Sequence, residues 1–399
     1  MVHVFIVGSK GIPAKYGGFE TFVENLTARK TNKQIKYHVS CMNNDEKHFD
    51  YNDADCFNVR VPLNGAPGRI MHVGLVLKQV EKWMKANPDQ KVIVLILGCR
   101  IGPLLIPHSR RLHKLGAKVY CNPDGLEWKR SKWSKPAKIF LRYCEKCLVM
   151  NSDYIICDSV NIEKYIQSTY PKKARQTTFI AYGANVEPSK CDENTYQEWL
   201  STHNVRAGEY YLIVGRFVPE NNYETMIREF MKSKTNKDLV IITNVEKNKF
   251  YNALLESTRF NKDSRIKFVG TVYNQELLKK IRENAFAYFH GHEVGGTNPS
   301  LLEALASTKL NLLCDVGFNR EVAEDGALYW SKDAGVLSKL IDEVDKIDDI
   351  RLNELNTLSS KRIIDFYSWN DICRQYEITI MDNKISIDKQ FSILTRTQI

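Results

Sequence analysis

The 399-residue chain is 43% hydrophobic and 26% charged, with 57 Lys and Arg against 47 Asp and Glu. This composition is typical of a globular protein and excludes a disordered one. At roughly 100 to 200 residues per domain, the length predicts two or three domains and excludes a lone small module.

The first half opens with a predicted buried strand over residues 3–7, followed by the loop 8–13. Gly17 and Gly18 then begin an amphipathic helix. Further strands are predicted at residues 37–41, 57–61, 92–97, 118–121 and 154–157, with a helix over 70–84. Such alternation predicts a parallel sheet covered by helices.

The pattern restarts in the second half, with a late helix predicted over residues 355–381. Strands are predicted at 210–214, 239–243, 266–269, 287–290 and 310–314, and helices at 223–232, 249–257, 274–284 and 299–306. We therefore expect a domain of residues 1–186, a second of residues 187–364, and a C-terminal helix and tail of residues 365–399. Because open parallel sheets bind ligands at the carboxyl ends of their strands, a site is expected in the cleft between two facing sheets.

The longest apolar run, residues 92–97, is far shorter than the roughly 20 residues that span a bilayer. The N-terminal stretch also lacks the basic-then-apolar layout of an export signal. We therefore expect a cytoplasmic protein.

The positive charge is concentrated in the first half, where residues 1–200 hold 30 Lys and Arg against 19 Asp and Glu. Residues 101–150 alone hold 11 basic and 3 acidic residues, interleaved with Trp128, Trp133, Phe140 and Tyr143. Basic and aromatic side chains together suit an anionic surface, either a cytoplasmic membrane leaflet or nucleic acid. A solvated helix face is the alternative.

Cys144 and Cys147 have a C-x-x-C spacing that suits a redox pair or half a zinc site, and His108 and His113 are spaced to supply the other half. The cysteines follow the histidines, which reverses the zinc-finger order. Packed or idle helical thiols are the alternative, and no disulfide framework is expected.

Residues 290–305 read HGHEVGGTNPSLLEAL and follow a predicted strand. Asn298 is placed as a helix N-cap and Pro299 as the first helical residue. Gly295 and Gly296 let a ligand approach the backbone, so the free amide hydrogens predict a diphosphate-binding site. Glu303, one turn further on, is placed to hold sugar hydroxyls. A helix that begins Asn-Pro for structural reasons alone is the alternative.

A second loop, residues 215–222, reads GRFVPENN and follows the first strand of the second half. Arg216, at the carboxyl end of a strand, is aimed at the cleft, where its planar guanidinium can bind two phosphate oxygens. A surface ion pair explains this residue equally well.

Together these loops resemble the nucleotide-sugar domain of GT-B glycosyltransferases of family 4. The motifs that carry this resemblance are Gly-Arg, Pro-Glu-Asn-Asn and, later in the chain, GGTNPSLLEA. Residues 10–21 (KGIPAKYGGFET) and 122–130 (NPDGLEWKR) are similar to the branch that contains bacterial rhamnosyltransferases of capsule and cell-wall polysaccharide synthesis. The resemblance extends to about Trp369. It implies the GT-B fold, two Rossmann-like domains facing across a cleft, with the C-terminal helix packing back on the first domain.

The resemblance also implies roles for particular residues. Arg216 would neutralise the leaving diphosphate, which Gly17 and Gly18 approach from the other domain, while Glu303 would hold ribose hydroxyls. The implied donor-binding set is Gly17, Gly18, Arg216, Glu220, Asn221, Gly295, Gly296, Thr297, Asn298 and Glu303. The predicted acceptor or membrane set is Trp128, Lys129, Arg130, Lys132, Trp133, Lys135 and Lys138.

The sequence departs from the family pattern at two positions. Asn221 stands where many members have Lys, so Arg216 must supply more of the neutralising charge. Many family members have two glutamates with seven residues between them, and Gly295 stands at the position of the first. Glu293, two residues away, is the candidate to take the place of that glutamate. His290 and His292 are either contacts of the donor or satisfied strand-end histidines.

Asp124, in the sequence Pro-Asp-Gly, is either a turn residue or a carboxylate that orients or deprotonates an acceptor hydroxyl. With Arg216 it forms the predicted catalytic pair.

We therefore expect a retaining, metal-independent glycosyltransferase without a cofactor, peripheral at the inner face of the cell membrane. The resemblance suggests dTDP-L-rhamnose as donor and a polyprenyl-diphosphate-linked saccharide as acceptor. The rival functions are a nucleotide-sugar 2-epimerase of the same layout and a nucleic-acid-binding protein, although no nucleic-acid-binding motif is recognisable. A dinucleotide oxidoreductase is weaker, because Gly8-x-x-Gly11 is not G-x-G-x-x-G.

Overall fold

The computed structural model describes residues 1–15, 17–63, 65–130, 133–245 and 248–382. These residues form two α/β domains, each built on its own sheet. The alternating apolar strands and amphipathic helices of the sequence explain both, since buried parallel strands need helices on both faces.

The first sheet has eight strands in the order β3-β4-β2-β1-β5-β6-β7-β8. They are β1 Val2–Val7, β2 Ile35–Asn43, β3 His48–Tyr51, β4 Ala54–Arg60, β5 Lys91–Leu97, β6 Lys118–Asn122, β7 Tyr154–Cys157 and β8 Thr177–Phe179. All neighbouring strands pair in parallel except the edge strand β3, which is antiparallel to β4. The helices of this domain are α1 Gly18–Ala28, α2 Gly65–Ala86, α3 Leu105–Lys114, α4 Lys135–Met150 and α5 Val160–Thr169.

The second sheet has six parallel strands in the order β11-β10-β9-β12-β13-β14. They are β9 Tyr210–Val214, β10 Asp238–Ile242, β11 Ile266–Gly270, β12 Ala287–His290, β13 Asn311–Cys314 and β14 Leu328–Trp330. The helices that follow the first domain are α6 Glu193–His203, α7 Tyr223–Lys232, α8 Lys249–Thr258, α9 Gln275–Glu283, α10 Pro299–Ser307, α11 Gly317–Ala323, α12 Val336–Val344, α13 Asp349–Phe366 and α14 Trp369–Met381.

The predicted late helix over residues 355–381 is wrong as one element, because the structure has α13 and α14 with a break between them. Tyr367 leaves the helical conformation at φ −129°, and Ser368 caps α14 by accepting a hydrogen bond from the backbone N–H of Asp371 at 3.4 Å. A serine mid-pattern competes for backbone hydrogen bonds and so favours a new helix start.

Helix α14 follows the second domain in the chain but packs on the first. The ring of Tyr376 lies 4.8 Å from that of Phe22 of α1, and Glu377 accepts hydrogen bonds from the backbone N–H of Thr31 at 2.7 Å and from its hydroxyl at 2.6 Å. Buried residues of both domains join one apolar cluster through this helix. The chain therefore closes back on its first domain, as the resemblance implied.

Candidate active site

The carboxyl ends of both sheets face a cleft of about 890 Å³. Its walls are the loops that follow β1, β5, β6 and β7 on the first domain and β9, β10, β11 and β12 on the second. This is the place where open parallel sheets bind ligands.

The wall of the second domain centres on the start of α10. Asn298 caps this helix, its side-chain oxygen accepting from the backbone N–H of Ser300 at 2.9 Å. The hydroxyl of Ser300 donates to the carbonyl of Val214 at 3.1 Å, which fixes the helix start to the end of β9. The amide end of α10, with Thr297 and Asn298 in the lining, therefore faces the cleft.

Glycines of both domains allow a close approach across the cleft. Gly18 lies opposite Pro299, and a Cβ on Gly18 would come 3.6 Å from the proline ring. A Cβ on Gly125 would come only 2.7 Å from Cα of Gly295. Gly17 and Gly295 have φ of 127° and 138°, a conformation that L side chains rarely adopt. Glycine is therefore required at Gly17, Gly125 and Gly295, whereas a Cβ at Gly18 would make an ordinary van der Waals contact.

Arg216 is exposed and lines the cleft directly after β9. Asn221 folds the loop by donating to the carbonyl of Arg216 at 2.8 Å, and its side-chain oxygen contacts Nδ1 of His292 at 2.6 Å. Burial and the charges of Arg216 and Arg130 lower the pKa of His292 to about 3. His292 is therefore neutral near neutral pH, and it lines the cleft as a polar ring rather than a cation.

Glu303 also lines the cleft, and it has a partner that the sequence does not predict. Arg282, at the end of α9, is buried and forms an ion pair with Glu303 of 2.6 Å. One carboxylate oxygen of Glu303 is thus occupied, and the predicted sugar-hydroxyl contact is left to the other. An Arg in the last turn of an amphipathic helix gives no sequence signal of this, because it is typical of a solvated helix end.

Asp124 follows β6 and lines the first-domain wall with a φ of 65°. Its backbone N–H donates to the side chain of Asn122 at 2.9 Å, and its carboxylate accepts from the N–H of Gly125 at 2.9 Å. The residue is therefore a turn residue and a cleft carboxylate at once. The two interpretations of the sequence are compatible.

Asp158, after β7, is a cleft residue that the sequence analysis did not single out. Its side chain is 2% exposed, and its Oδ1 has no hydrogen-bond partner among the residues that the structure describes. A Cβ on Gly296 would lie 2.2 Å from that oxygen, and the backbone carbonyl of Asp158 accepts from the hydroxyl of Thr297. Burial first, and then the charge of Asp124, raise the pKa of Asp158 well above its usual value. In the sequence, the one indication that Asp158 lies in the cleft is its position directly after a predicted strand.

The next turn of the chain carries a second contact between the domains. Glu321 of α11 accepts from the backbone N–H of Val160 at 2.9 Å and from the hydroxyl of Ser159 at 3.0 Å. A carboxylate of one domain therefore caps helix α5 of the other, where the helix dipole favours negative charge.

Arg130 and Trp133, predicted for the acceptor or membrane surface, instead turn inward. Glu127, only 2% exposed, binds the guanidinium of Arg130 at 2.8 Å, that of Arg100 at 3.1 Å and the indole N–H of Trp133 at 3.2 Å. Arg130 lines the cleft and is 8% exposed. A buried carboxylate draws these side chains away from the surface.

Those remaining basic and aromatic residues that the structure describes lie outside the cleft lining. Lys129 and Lys135 are exposed, Lys138 is half-buried, and Trp128 is half-buried with the guanidinium of Arg142 5.2 Å from its ring. Lys132 lies outside the described residues. Of the helices that the structure describes, none combines the length and apolar character needed to cross a bilayer.

Glu293 and Glu220 are placed away from the predicted donor contacts. The carboxylate of Glu293 pairs with Lys332 at 2.6 Å and is not part of the cleft lining, so the proposed substitution for Gly295 is not seen. Glu220 is buried behind the wall, where its carbonyl accepts from the N–H of Glu293 at 3.2 Å. Its contact with a donor stays a prediction.

The zinc hypothesis gains no support. His108 contacts Glu81 at 2.5 Å and His113 contacts Asp153 at 2.9 Å, while Cys144 and Cys147 are buried in α4. Within the described part of the chain, no group of three or more His, Cys, Asp or Glu is arranged to hold a metal ion.

Comparison with sequence families divides the chain as the two sheets do. Residues 1–185 match a domain of unknown function, DUF1972, and residues 201–355 match Glycosyl transferases group 1. The comparison with curated proteins gives no match.

Solved structures extend the likeness over nearly the whole chain. Sucrose-phosphate synthase from Thermosynechococcus elongatus has a TM-score of 0.71 at 15% identity, with 95% of this chain and 98% of that one covered. HepE from Anabaena, in complex with UDP, has a TM-score of 0.70 at 12% identity, covering 95% and 99%. A glycosyltransferase from Rickettsia africae has a TM-score of 0.72 at 13% identity, covering 96% and 99%.

The two facing sheets and these neighbours define the GT-B fold. With the match of residues 201–355, the chain is a glycosyltransferase of that fold, and its second domain is of the glycosyl transferases group 1 type.

Proposed function

We propose that the protein transfers L-rhamnose, with retention, from dTDP-L-rhamnose to a lipid-diphosphate-linked saccharide. The observation that carries this proposal is the meeting of the start of α10, Arg216 and the loop of Gly17 and Gly18 in one cleft. Backbone N–H groups, a helix dipole and a guanidinium together suit a nucleotide diphosphate.

In the proposed reaction, the bond between the sugar and the diphosphate breaks, and the oxygen of the acceptor hydroxyl forms the new bond to the sugar. Negative charge develops on the departing diphosphate oxygen. Arg216 and the N–H groups at the start of α10 stabilise that charge, and the helix holds its N–H groups in place before the reaction begins. Asp124, on the opposite wall, orients the acceptor hydroxyl and accepts its proton.

The lipid-linked acceptor is supported by the outer face of α4. Ile139 is 73% exposed and Phe140 and Tyr143 are each 50% exposed, on the same helix as Lys135 and Arg142. Apolar side chains that insert among lipids, flanked by basic ones, suit an anionic membrane surface.

The donor is tested by thermal denaturation with a panel of nucleotide sugars. A ligand at about one hundred times its dissociation constant adds about 2.7 kcal/mol to the free energy of unfolding. We expect the largest stabilisation with dTDP-L-rhamnose; an equal or larger shift with UDP-sugars alone contradicts the proposed donor. Incubation with donor alone tests the 2-epimerase, which would convert the sugar without an acceptor.

Membrane binding is tested by flotation with vesicles that contain phosphatidylglycerol. Replacing Lys135 and Lys138 with Glu is expected to release the protein. Lys234 and Lys339, exposed on the second domain, are the matched control pair, since their replacement by Glu changes the net charge equally. Equal release in both pairs shows a non-specific charge effect and contradicts docking through α4.

A further inference from the structure

A second group of arginines lines the cleft on the wall opposite Arg216. Arg69 lies near the start of α2, as its fifth residue, and Arg100 lies in the 3₁₀ helix Cys99–Leu104 that follows β5. Ile70, Val73 and Ile101 line the same wall, so it is both basic and apolar. The predicted donor contacts do not use these residues.

Three arginines of this wall, Arg69, Arg100 and Arg130, have one carboxylate paired with them among the described residues. Glu127 is shared between Arg100 at 3.1 Å and Arg130 at 2.8 Å. Among the described residues, no carboxylate lies within ion-pair distance of Arg69. The nearby Glu20 already accepts from the backbone N–H of Lys10 at 2.7 Å.

Arg69 and Arg100 line the same wall of the cleft, and the charge of Arg100 acts on Arg69. Burial and the neighbouring charge of Arg100 lower the pKa of Arg69, whereas Glu20 and Glu127 raise it less. Like charges held together inside a cleft are unfavourable unless an anion lies between them. The wall is thus arranged for an anionic ligand.

The apolar surface shows which kind of anion fits. The same 3₁₀ helix ends at Leu104, which is 50% exposed, and its Gly102 packs directly on Cys144 of α4, where a Cβ would come 2.4 Å from the sulfur. The 3₁₀ helix that carries Arg100 is therefore packed on α4, the helix that carries the exposed Ile139 and Phe140. A ligand with an anionic head and an apolar tail would contact both.

We propose that Arg69 and Arg100 bind the diphosphate of a prenyl-linked acceptor, in a site separate from the donor diphosphate site at Arg216. This inference rests on the proposed function, which it extends by naming the acceptor contacts. The two sites would hold the two substrates with their diphosphates on opposite walls of the cleft.

The probe for this site is farnesyl diphosphate, with binding to the full chain measured by calorimetry. The donor site is first saturated with the nucleotide diphosphate that stabilises the protein most. Because a hydrogen bond to a charged group contributes about 1.5–3 kcal/mol, Arg69→Gln is expected to weaken binding about 10-fold or more. The double variant with Arg100→Gln is expected to lose it.

Arg110→Gln is the matched control, because Arg110 is exposed on α3 outside the cleft lining. Arg69→Gln should fold normally, since no ion pair of Arg69 with a described residue is lost, and its melting temperature checks this. Unchanged affinity in a folded Arg69→Gln protein would overturn the proposal. So would binding of farnesol as tight as that of farnesyl diphosphate, which would show an apolar site alone.

The same titrations separate this inference from the proposed function. Arg216→Ala should weaken nucleotide binding and leave farnesyl diphosphate binding intact, while Arg69→Gln should do the reverse. Failure of every nucleotide sugar to bind would refute the proposed function. Loss of farnesyl diphosphate affinity in Arg216→Ala but not in Arg69→Gln would instead assign the probe to the donor site and refute the second site.

Discussion

The two walls of the cleft are built in different ways. The wall of the second domain takes its largest continuous group of lining residues from one strand, loop and helix, residues 287–307, and presents backbone amides at a helix start. The wall of the first domain draws Arg69, Arg100, Asp124 and Asp158 from four separate segments of the chain and presents ionisable side chains. A short continuous motif therefore predicts the centre of the second-domain wall. On the first-domain wall, Arg69, Arg100 and Asp158 are recognised as cleft residues only in the folded chain.

The largest effect is expected from Arg216→Ala, on the motif-built wall. Removing one preorganised donor to a developing negative charge should lower kcat/KM about 10²–10³-fold. The melting temperature should stay the same, because the side chain is exposed. Steady-state kinetics with the nucleotide sugar measures this. Arg228→Ala, which removes an exposed Arg paired with Glu224, is the control; full activity in Arg216→Ala would contradict the assignment.

On the other wall, Asp124→Asn should lower kcat about 100-fold, the lower range for loss of general base catalysis, with little change in donor KM. Asn tolerates the left-handed φ of 65° and keeps an oxygen for the N–H of Gly125, so the turn should survive. Asp53→Asn is the matched control, since Asp53 also has a positive φ, 55°, but lies outside the cleft lining. An unchanged kcat would reduce Asp124 to a turn residue.

Gly296→Ala tests how closely the two walls meet. Its Cβ would lie 2.2 Å from Oδ1 of Asp158, and overpacking of this kind costs about 1–3 kcal/mol. The melting temperature and kcat/KM should both decrease. The control is Gly317→Ala, whose Cβ would have its nearest neighbour at 3.9 Å and which should change neither quantity. Adding Asp158→Ala should partly restore Gly296→Ala, because it removes the obstructing oxygen. Strict additivity would show that the two residues do not touch.

The smallest effect is expected from Asp158→Asn, and it depends on pH. The raised pKa means that the folded state retains a proton that the unfolded state loses above its usual value of 3.8. Wild-type stability should therefore fall as pH rises from about 4 toward the raised pKa, and Asn should remove this part of the decline. Melts from pH 4 to 8 measure it. A constant difference between the two proteins would mean that Asp158 is ionised in the folded state.

Much of the fold could be predicted from sequence patterns, because the central strands are continuous apolar runs such as β5 and β10. The missed strands are edge strands: β3 is half exposed, while β8 and β14 have only three residues each. Short edge strands carry little periodicity, and their pairing depends on neighbours distant in the sequence.

In the site, Asn298 was predictable as a cap because capping is a local property of the chain. The pairing of Arg282 with Glu303 and the burial of Arg130 on Glu127 were not, since each depends on how separate elements pack. The pattern of charges predicted Arg130 on the surface, because a sequence shows which residues are charged but not that a buried carboxylate pairs with one of them.

The return of α14 to the first domain has a consequence for dissecting this enzyme. If the chain were cut between the two sheets, Phe22 and Tyr182 of the amino-terminal half would lose the α14 residues that bury them. Tyr376, on the other fragment, would be exposed to solvent. Neither isolated half would therefore keep the packing that it has in the intact protein. Adding a peptide of residues 369–381 should stabilise an isolated first half, because the peptide would cover the apolar side chains that α14 covers in the whole chain.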